Sequence, residues 1–252
     1  MTQTGLWTYV RDARKKPHVH PLLTTSGRCL TRVEPEDHPW HRGLWFTIKY
    51  VNGENFWEEA PPYGVLRHRD DTTVEWIRPD KETVAIREQR RLTHVELGDG
   101  AYAIDLIFEL EPQADTVLDR TEFTTWGGYG GLSFRGAGDW ADTRLLLDDG
   151  SQHERVLGTR SRWCDLSSDA AGVAFLDAPS NPSHPVPWYA STRAATYGDE
   201  GWSNFLNAAF LWEGPMEVGA GQGLRFDYRV VVHDGIWDAD RVERCYREWT
   251  GG

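Results

Sequence analysis

Between Ala101 and Glu111 the chain alternates in one register. Tyr102, Ile104, Leu106, Phe108 and Leu110 fall on one side, and Asp105, Glu109 and Glu111 on the other. Successive side chains of a strand point to opposite faces, so such a run is a strand with one buried face. Gly223–His233 repeats the pattern, with Leu224, Phe226, Tyr228, Val230 and Val232 facing one way. Two long strands of this kind need an apolar surface opposite them, and most of the chain offers further strands rather than helices to supply it.

Those further strands fall at Leu6–Val10, in HVHPLL (18–23), and at Arg28–Val33, Leu44–Val51, Gly64–His68 and Thr72–Arg78. Glu82–Leu97 reads as one long strand or a bent pair, and Asp115–Thr125 as the partner of the Ala101 strand. Arg160–Leu166, Gly172–Leu176, Trp188–Ser191 and Asn204–Trp212 complete the set. Only Asp238–Trp249 has a helical period, with Val242, Tyr246 and Trp249 on one stripe and Asp238 or Asp240 to cap it. The expected fold is all-β: a large antiparallel β-sandwich with a short C-terminal helix. No linker or repeat divides residues 1–252, which are read as a single domain.

Charge narrows the partners. Twenty-seven Lys and Arg against 39 Asp and Glu give a net charge of -12 without a basic run, which disfavours nucleic acid and anionic membrane surfaces. No apolar run approaches the ~20 residues of a membrane helix. The N-terminal MTQTGLWTYV lacks the pattern of a signal peptide. Cys29, Cys164 and Cys245 are odd in number and widely spaced, as expected of free thiols in a reducing compartment. The protein therefore reads as cytoplasmic. Its 13 tryptophans exceed ordinary usage, and indole planes suit the stacking of sugar rings as well as core filling.

The chemistry concentrates in EDHPWHRGLWFTIKYVNGENFWEE (36–59). His38 and His41 lie three apart, and imidazole titrates nearest neutrality, so each is a candidate general acid or base. Arg42 follows as a candidate for holding a carboxylate, keto or ring oxygen. Asn52-Gly53 signals a hairpin turn, which would bring Asn55 and Trp57 to the side of the histidine loop. Glu58 and Glu59 are candidate bases, but adjacent residues of an extended chain face opposite ways, so at most one serves a site and the other is solvated. SNPSHPVPWYAST (180–192) is stiffened by three prolines and presents His184 and Trp188. In RWCDLS (162–167) an ion pair between Arg162 and Asp165 accounts for the charges, with Arg162 also a candidate substrate ligand. His233 reads as edge chemistry. The glycine-rich WGGYGGLSFRGAGDW (126–140) suits a bulge or a close approach to a ligand, without the GK[ST] of a phosphate loop. No nucleophile elbow or dinucleotide fingerprint occurs.

HPLLT (20–24), DHPWHRGLWF (37–46), VNGENFWEE (51–59), YGGLSFR (129–135), RWCDLS (162–167) and NPSHPVPWY (181–189) together resemble the bacterial PmoA-like, "methane oxygenase" family over nearly the full length. That family usually has HPHHRGLW where this chain has Trp40, and a tyrosine where it has His20. The resemblance implies a galactose-mutarotase-like β-sandwich and a setting in sugar metabolism, and supplies no catalytic residues.

The reading that follows is an intracellular enzyme doing acid–base chemistry on a sugar or oxidised glycoside: mutarotation, epimerisation, β-elimination or hydrolysis. His38, His41, His184, Glu58 and Glu59 are its proton-transfer candidates. Arg42, Trp40, Asn55, Trp57, Arg162 and Trp188 are its substrate contacts. A non-catalytic carbohydrate-binding subunit is one alternative. The other is a lyase or hydrolase with a divalent metal on His38, His41 and His18 or His20, although no cofactor is expected.

Overall fold

The computed structural model describes residues 5–121, 128, 130–192 and 203–252. Among these residues the strands form three antiparallel sheets. One has seven strands in the order β1 (Trp7–Val10), β2 (His18–Leu22), β3 (Leu44–Ile48), β11 (Gly130–Arg135), β18 (Phe205–Ala208), β17 (Pro187–Ser191) and β14 (Arg155–Arg160). A second has nine. Its order is β13 (Gln152–His153), β12 (Arg144–Leu147), β15 (Trp163–Ser168), β16 (Ala171–Asp177), β20 (Leu224–Asp234), β9 (Ala101–Pro112), β8 (Val84–Gly98), β7 (Thr73–Ile77) and β6 (Val65–His68). A small sheet joins β19 (Met216–Val218), β10 (Thr116–Asp119), β4 (Tyr50–Val51) and β5 (Glu54–Asn55).

The two large sheets face each other, as the sequence led us to expect. Tyr102, Ile104, Leu106, Phe108 and Leu110 of β9 and the apolar side of β20 share one core with Leu44, Phe46 and Ile48 of β3 and Leu132 and Phe134 of β11. Rings interlock across the gap. Phe46 stacks on Phe108 at 4.1 Å, and Phe134 meets Phe175 edge-on at 5.9 Å. Each fully buried side chain of this size contributes about 1.5–3 kcal/mol. One ion pair, Arg90–Glu88, is sealed into this layer, with Glu88 also accepting from the Trp76 indole at 2.7 Å.

The helix α1 (Ala239–Thr250) begins where Asp238 caps the Arg241 amide and ends at Gly251, whose φ of 76° is a left-handed terminus. Its Val242 and Tyr246 pack with Trp163, Leu176 and Val231 on the outer face of the nine-stranded sheet.

Several expected strands are rearranged. Leu44–Val51 is not one strand: the chain leaves the seven-stranded sheet after Ile48 and enters the small sheet at Tyr50. Arg28–Val33 makes only isolated bridges, through Cys29, Thr31 and Val33 to three different partners. The strand in Asp115–Thr125 is confined to Thr116–Asp119 and pairs with β4 and β19, not with β9; residues 122–125 lie outside the described residues. Glycine serves close backbone packing at Gly131, where φ is +94° and an added Cβ would meet the Ala208 carbonyl at 2.5 Å. That part of the glycine-rich stretch therefore accommodates a neighbouring strand rather than a ligand, while residues 126, 127 and 129 lie outside the described residues.

Candidate functional site

Two successive turns build the histidine loop. The His38 amide bonds the Pro35 carbonyl at 3.1 Å, and the His41 amide bonds the His38 carbonyl at 2.9 Å. A three-residue step around Pro39 brings the two imidazoles face to face, 4.6 Å apart between ring centres. The loop closes back on itself where the Glu34 amide donates to the His41 carbonyl. Gly43 then starts the strand with φ +73°, and an added Cβ there would lie 2.6 Å from the Val19 carbonyl.

The outer face of the seven-stranded sheet receives this loop. Because Leu44, Phe46, Leu132, Phe134, Trp188 and Ala190 point into the core, their neighbours Trp45, Ser133, Arg135 and Tyr189 point outward. Trp45, Trp57, Tyr189, Phe205 and Ala209 form a separate apolar cluster on that face, rimmed by half-buried Trp40 and Trp212. His41 lies within it, 5.2 Å from the rings of both Trp45 and Phe205.

The two histidines differ electrically. His38 keeps a fifth of its side chain exposed, and its Nδ1 lies 2.8 Å from Asp37 Oδ2. Asp37 in turn accepts from Arg135 Nη2 at 2.9 and 3.1 Å. A carboxylate bound to an arginine can only accept from the imidazole, so the proton sits on Nδ1 and Nε2 is the basic nitrogen. His41 is buried with no partner for Nδ1, and burial first, with the neighbouring His38 ring and the Arg135 guanidinium adding to it, holds it well below the ordinary imidazole value. It is therefore neutral at neutral pH.

The second segment, 54–59, is locked against the first. The Asn55 side chain accepts from the amides of Trp57 at 2.9 Å and Glu58 at 3.2 Å, and donates to the Glu58 carbonyl at 3.0 Å. That turn places the Trp57 ring 5.6 Å from Trp45 and 6.4 Å from His41. Neither Glu58 nor Glu59 is a spare solvated acid. Glu58 pairs with buried Lys49, and Glu59 with Arg42. Arg42 also binds the Pro39 carbonyl at 2.8 Å and Glu34 at 3.1 Å, so it braces the loop rather than presenting a cation to a ligand. Lys16 enters this network unannounced. It donates to the Trp57 carbonyl at 2.5 Å and lies 3.4 Å from Glu59, and burial lowers its ammonium to about 8.

Of the expected site residues, His38, Trp40, His41, Arg42, Trp57, Glu58 and Glu59 meet on this face, and Asn55 supports them through the backbone. Three others lie elsewhere. Trp188 points into the inter-sheet core, edge-on to Phe175 at 6.3 Å, and its indole is spent on the Ser161 carbonyl. The adjacent Tyr189 is the residue on the site face. His184 bonds fully buried Asp177 at 2.8 Å, in a knot with Asn181 and the Val186 amide. Arg162 pairs with Asp148 and with Glu243 of α1, not with Asp165. Asp165 instead bonds His233, which is fully buried in β20 and stacked on Trp237 at 4.2 Å, not at a sheet edge. Among the described residues, no three His, Cys, Asp or Glu side chains gather as a metal site would require. No helix among them is long and apolar enough to cross a membrane.

Sequence reasoning passed over Asp37, Arg135, Lys16 and Phe205. An acid directly before a histidine was the one visible signal. Arg135, 98 residues from Asp37, gave none.

Fold and site together define a class: an antiparallel β-sandwich with an imidazole-and-indole site on the outer face of its seven-stranded sheet. The chain belongs to a family of unknown function, DUF6807, which matches over residues 2–247. That match overturns the resemblance to the PmoA-like family. No curated protein matches the chain. Among solved structures it is similar to a mutant of the heparan sulfate lyase HepC from Pedobacter heparinus, at 10% identity and a TM-score of 0.39 over 84% of this chain and 29% of that one. It is also similar to a polysaccharide lyase, at 10% identity and a TM-score of 0.42 over 96% of this chain and 34% of that one. The chain thus spans about a third of the length of either lyase.

Proposed function

We propose that this protein is a carbohydrate-active enzyme that moves a proton on a sugar ring, with His38 as the transferring group. The observation that carries the reading is the chain Arg135–Asp37–His38, ending beside an aromatic surface. His38 Nε2 takes a proton from a ring hydroxyl or an acidic ring carbon. The imidazolium so formed is stabilised by the Asp37 carboxylate and then returns the proton to the ring or leaving oxygen. Neutral His41 adds no positive charge to oppose that step. Trp40, half-buried and 5.4 Å from His38, offers a face for the sugar.

A binding protein without turnover is the second reading. It is favoured by the mutual pairing of Arg42, Lys49, Glu58 and Glu59, which leaves His38 as the main candidate for proton transfer. Hexoses, uronates and keto-glycosides incubated with the protein in D2O, followed by proton NMR, separate the two. Accelerated anomerisation, exchange or elimination that is lost in His38→Gln supports the enzyme. Binding with no turnover of any panel member supports the second reading, and neither binding nor turnover sinks both.

A further inference from the structure

Among the described residues, Trp45 Nε1, Asn207 Oδ1 and His41 Nδ1 are buried at the outer face of the seven-stranded sheet without a hydrogen-bond partner. Their residues are 2%, 0% and 3% exposed. Strand register puts two of them in one row. Ser133 pairs with Trp45 on one side and with Asn207 on the other, and Asn207 pairs onward with Tyr189. Two ladder spacings separate the Trp45 and Asn207 backbones, about 10 Å, which is the scale of one six-membered ring with its substituents. His41 stands over the same row, its ring 5.2 Å from that of Trp45.

The Asn207 amide has only one sensible orientation. Its Nδ2 donates to the Gly130 carbonyl at 3.2 Å, the Leu132 carbonyl at 3.3 Å and Ser133 Oγ at 2.9 Å. Flipping it would set an oxygen against two carbonyls, so Oδ1 is the atom left wanting a donor. The Trp45 indole can only donate, and so wants an acceptor. Buried polar atoms are ordinarily satisfied, and a cluster of three that are not, beside a proton-transfer group, marks a place for a partner.

We infer that Trp45 and Asn207, with His41, form a subsite reading the hydroxyl-bearing edge of a neutral sugar ring. This rests on the sugar reading above and sharpens it. A ligand edge that accepts from Trp45 and donates to Asn207 must offer both functions. Hydroxyl groups do, whereas carboxylate and sulfate cannot donate to Asn207. None of the three protein groups carries charge, and the cations felt at His41, namely Arg135, Arg42 and Lys16, are matched to Asp37 and Glu59, so the subsite repays little of the desolvation of an anion. Trp40 and Trp212 are the partly buried members of the aromatic cluster and form its rim.

The test uses the full chain with 15N-labelled tryptophan, the Trp45 indole signal being assigned by Trp45→Phe. Glucose, galactose and mannose, their singly deoxygenated derivatives and glucuronate are titrated in turn. A neutral hexose should shift the Trp45 indole resonance. Removal of one particular hydroxyl should weaken binding at least tenfold, about 1.4 kcal/mol, and that penalty should disappear in Trp45→Phe and in Asn207→Leu. Should Asn207→Leu fail to fold, Trp45→Phe and the deoxy series on the parent protein still decide. If a hexose binds and shifts other indoles while Trp45 stays still and every deoxy sugar binds equally, the subsite is wrong and the atoms hold ordered water, with the sugar reading intact. Glucuronate binding tenfold tighter than any neutral hexose overturns the neutral-ring assignment. No binding by any of these sugars removes the subsite together with the reading it rests on.

Discussion

Asp37 lies between His38, whose Nδ1 is 2.8 Å from its Oδ2, and Arg135, whose Nη2 is 2.9 Å from the same oxygen. The acid and the histidine come from one turn, but the arginine comes from the outward side of β11. The orientation of the imidazole is therefore tied to the sheet rather than left to a loop.

Asp37→Asn removes the charge that favours the His38 imidazolium and the acceptor that sets its tautomer. Turnover of any sugar substrate is expected to fall by roughly 10²–10⁴, with a lower melting temperature, since Arg135 loses a carboxylate. Steady-state kinetics across pH measure this. A variant with parental kcat at every pH would remove His38 from the proposed role.

His184→Gln separates the two histidine settings. The bond to buried Asp177 is lost, and stability is expected to drop by about 1–3 kcal/mol, read by urea unfolding. Sugar turnover should stay at the parental level, because His184 serves the knot with Asn181 and Val186 rather than the outer sheet face. A large loss of kcat without loss of stability would return His184 to the catalytic set.

Acid should destabilise the fold through its neutral histidines. Burial holds His18 down to about 4 and His41 well below the ordinary imidazole value. Between roughly pH 6.5 and pH 4 the unfolded chain then binds more protons than the folded one, so stability falls as the pH drops through that window. His18 alone accounts for about 3 kcal/mol at pH 4. Lys16 acts at the other end: its ammonium is lowered to about 8, so the penalty of burying its charge is relieved between about pH 8 and 10.5 as the folded state releases the proton first. Urea midpoints across pH, compared with a His18→Asn variant, measure the acid limb. Parallel curves for the two proteins would reject the His18 contribution.

Gly43→Ala should uncouple the histidine loop from its strand. The left-handed backbone alone costs about 1–2 kcal/mol, and the new methyl would stand 2.6 Å from the Val19 carbonyl, which cannot move without disturbing β2. Lower stability and a changed Trp fluorescence spectrum are expected together. A variant as stable as the parent would mean that the loop relaxes freely around residue 43.

Much of the sandwich was legible from alternation alone. In β9 and β20 the apolar residues fall on every second position, and that spacing has one inexpensive solution. The Asp238 cap and the Val242–Tyr246 stripe made α1 equally plain. Short strands were harder. Nothing in LWFTIKYV announces that the chain changes sheets at Lys49, because the change is set by which edges are open to receive it. Local sequence also placed His38 and His41 together, since a turn of three residues around proline leaves them little room to diverge.

Trp188 and Tyr189 mark the limit. Both are aromatic, adjacent and suited to a site, and only the orientation of β17 in its sheet decides that Tyr189 looks outward while Trp188 fills the core. Arg135, Lys16 and Asn207 likewise acquire meaning only through partners distant in sequence. Periodicity is a property of neighbouring residues and can be read along the chain. Which face becomes core, and which charges meet there, depends on contacts between remote segments, and those exist only once the sheets have packed.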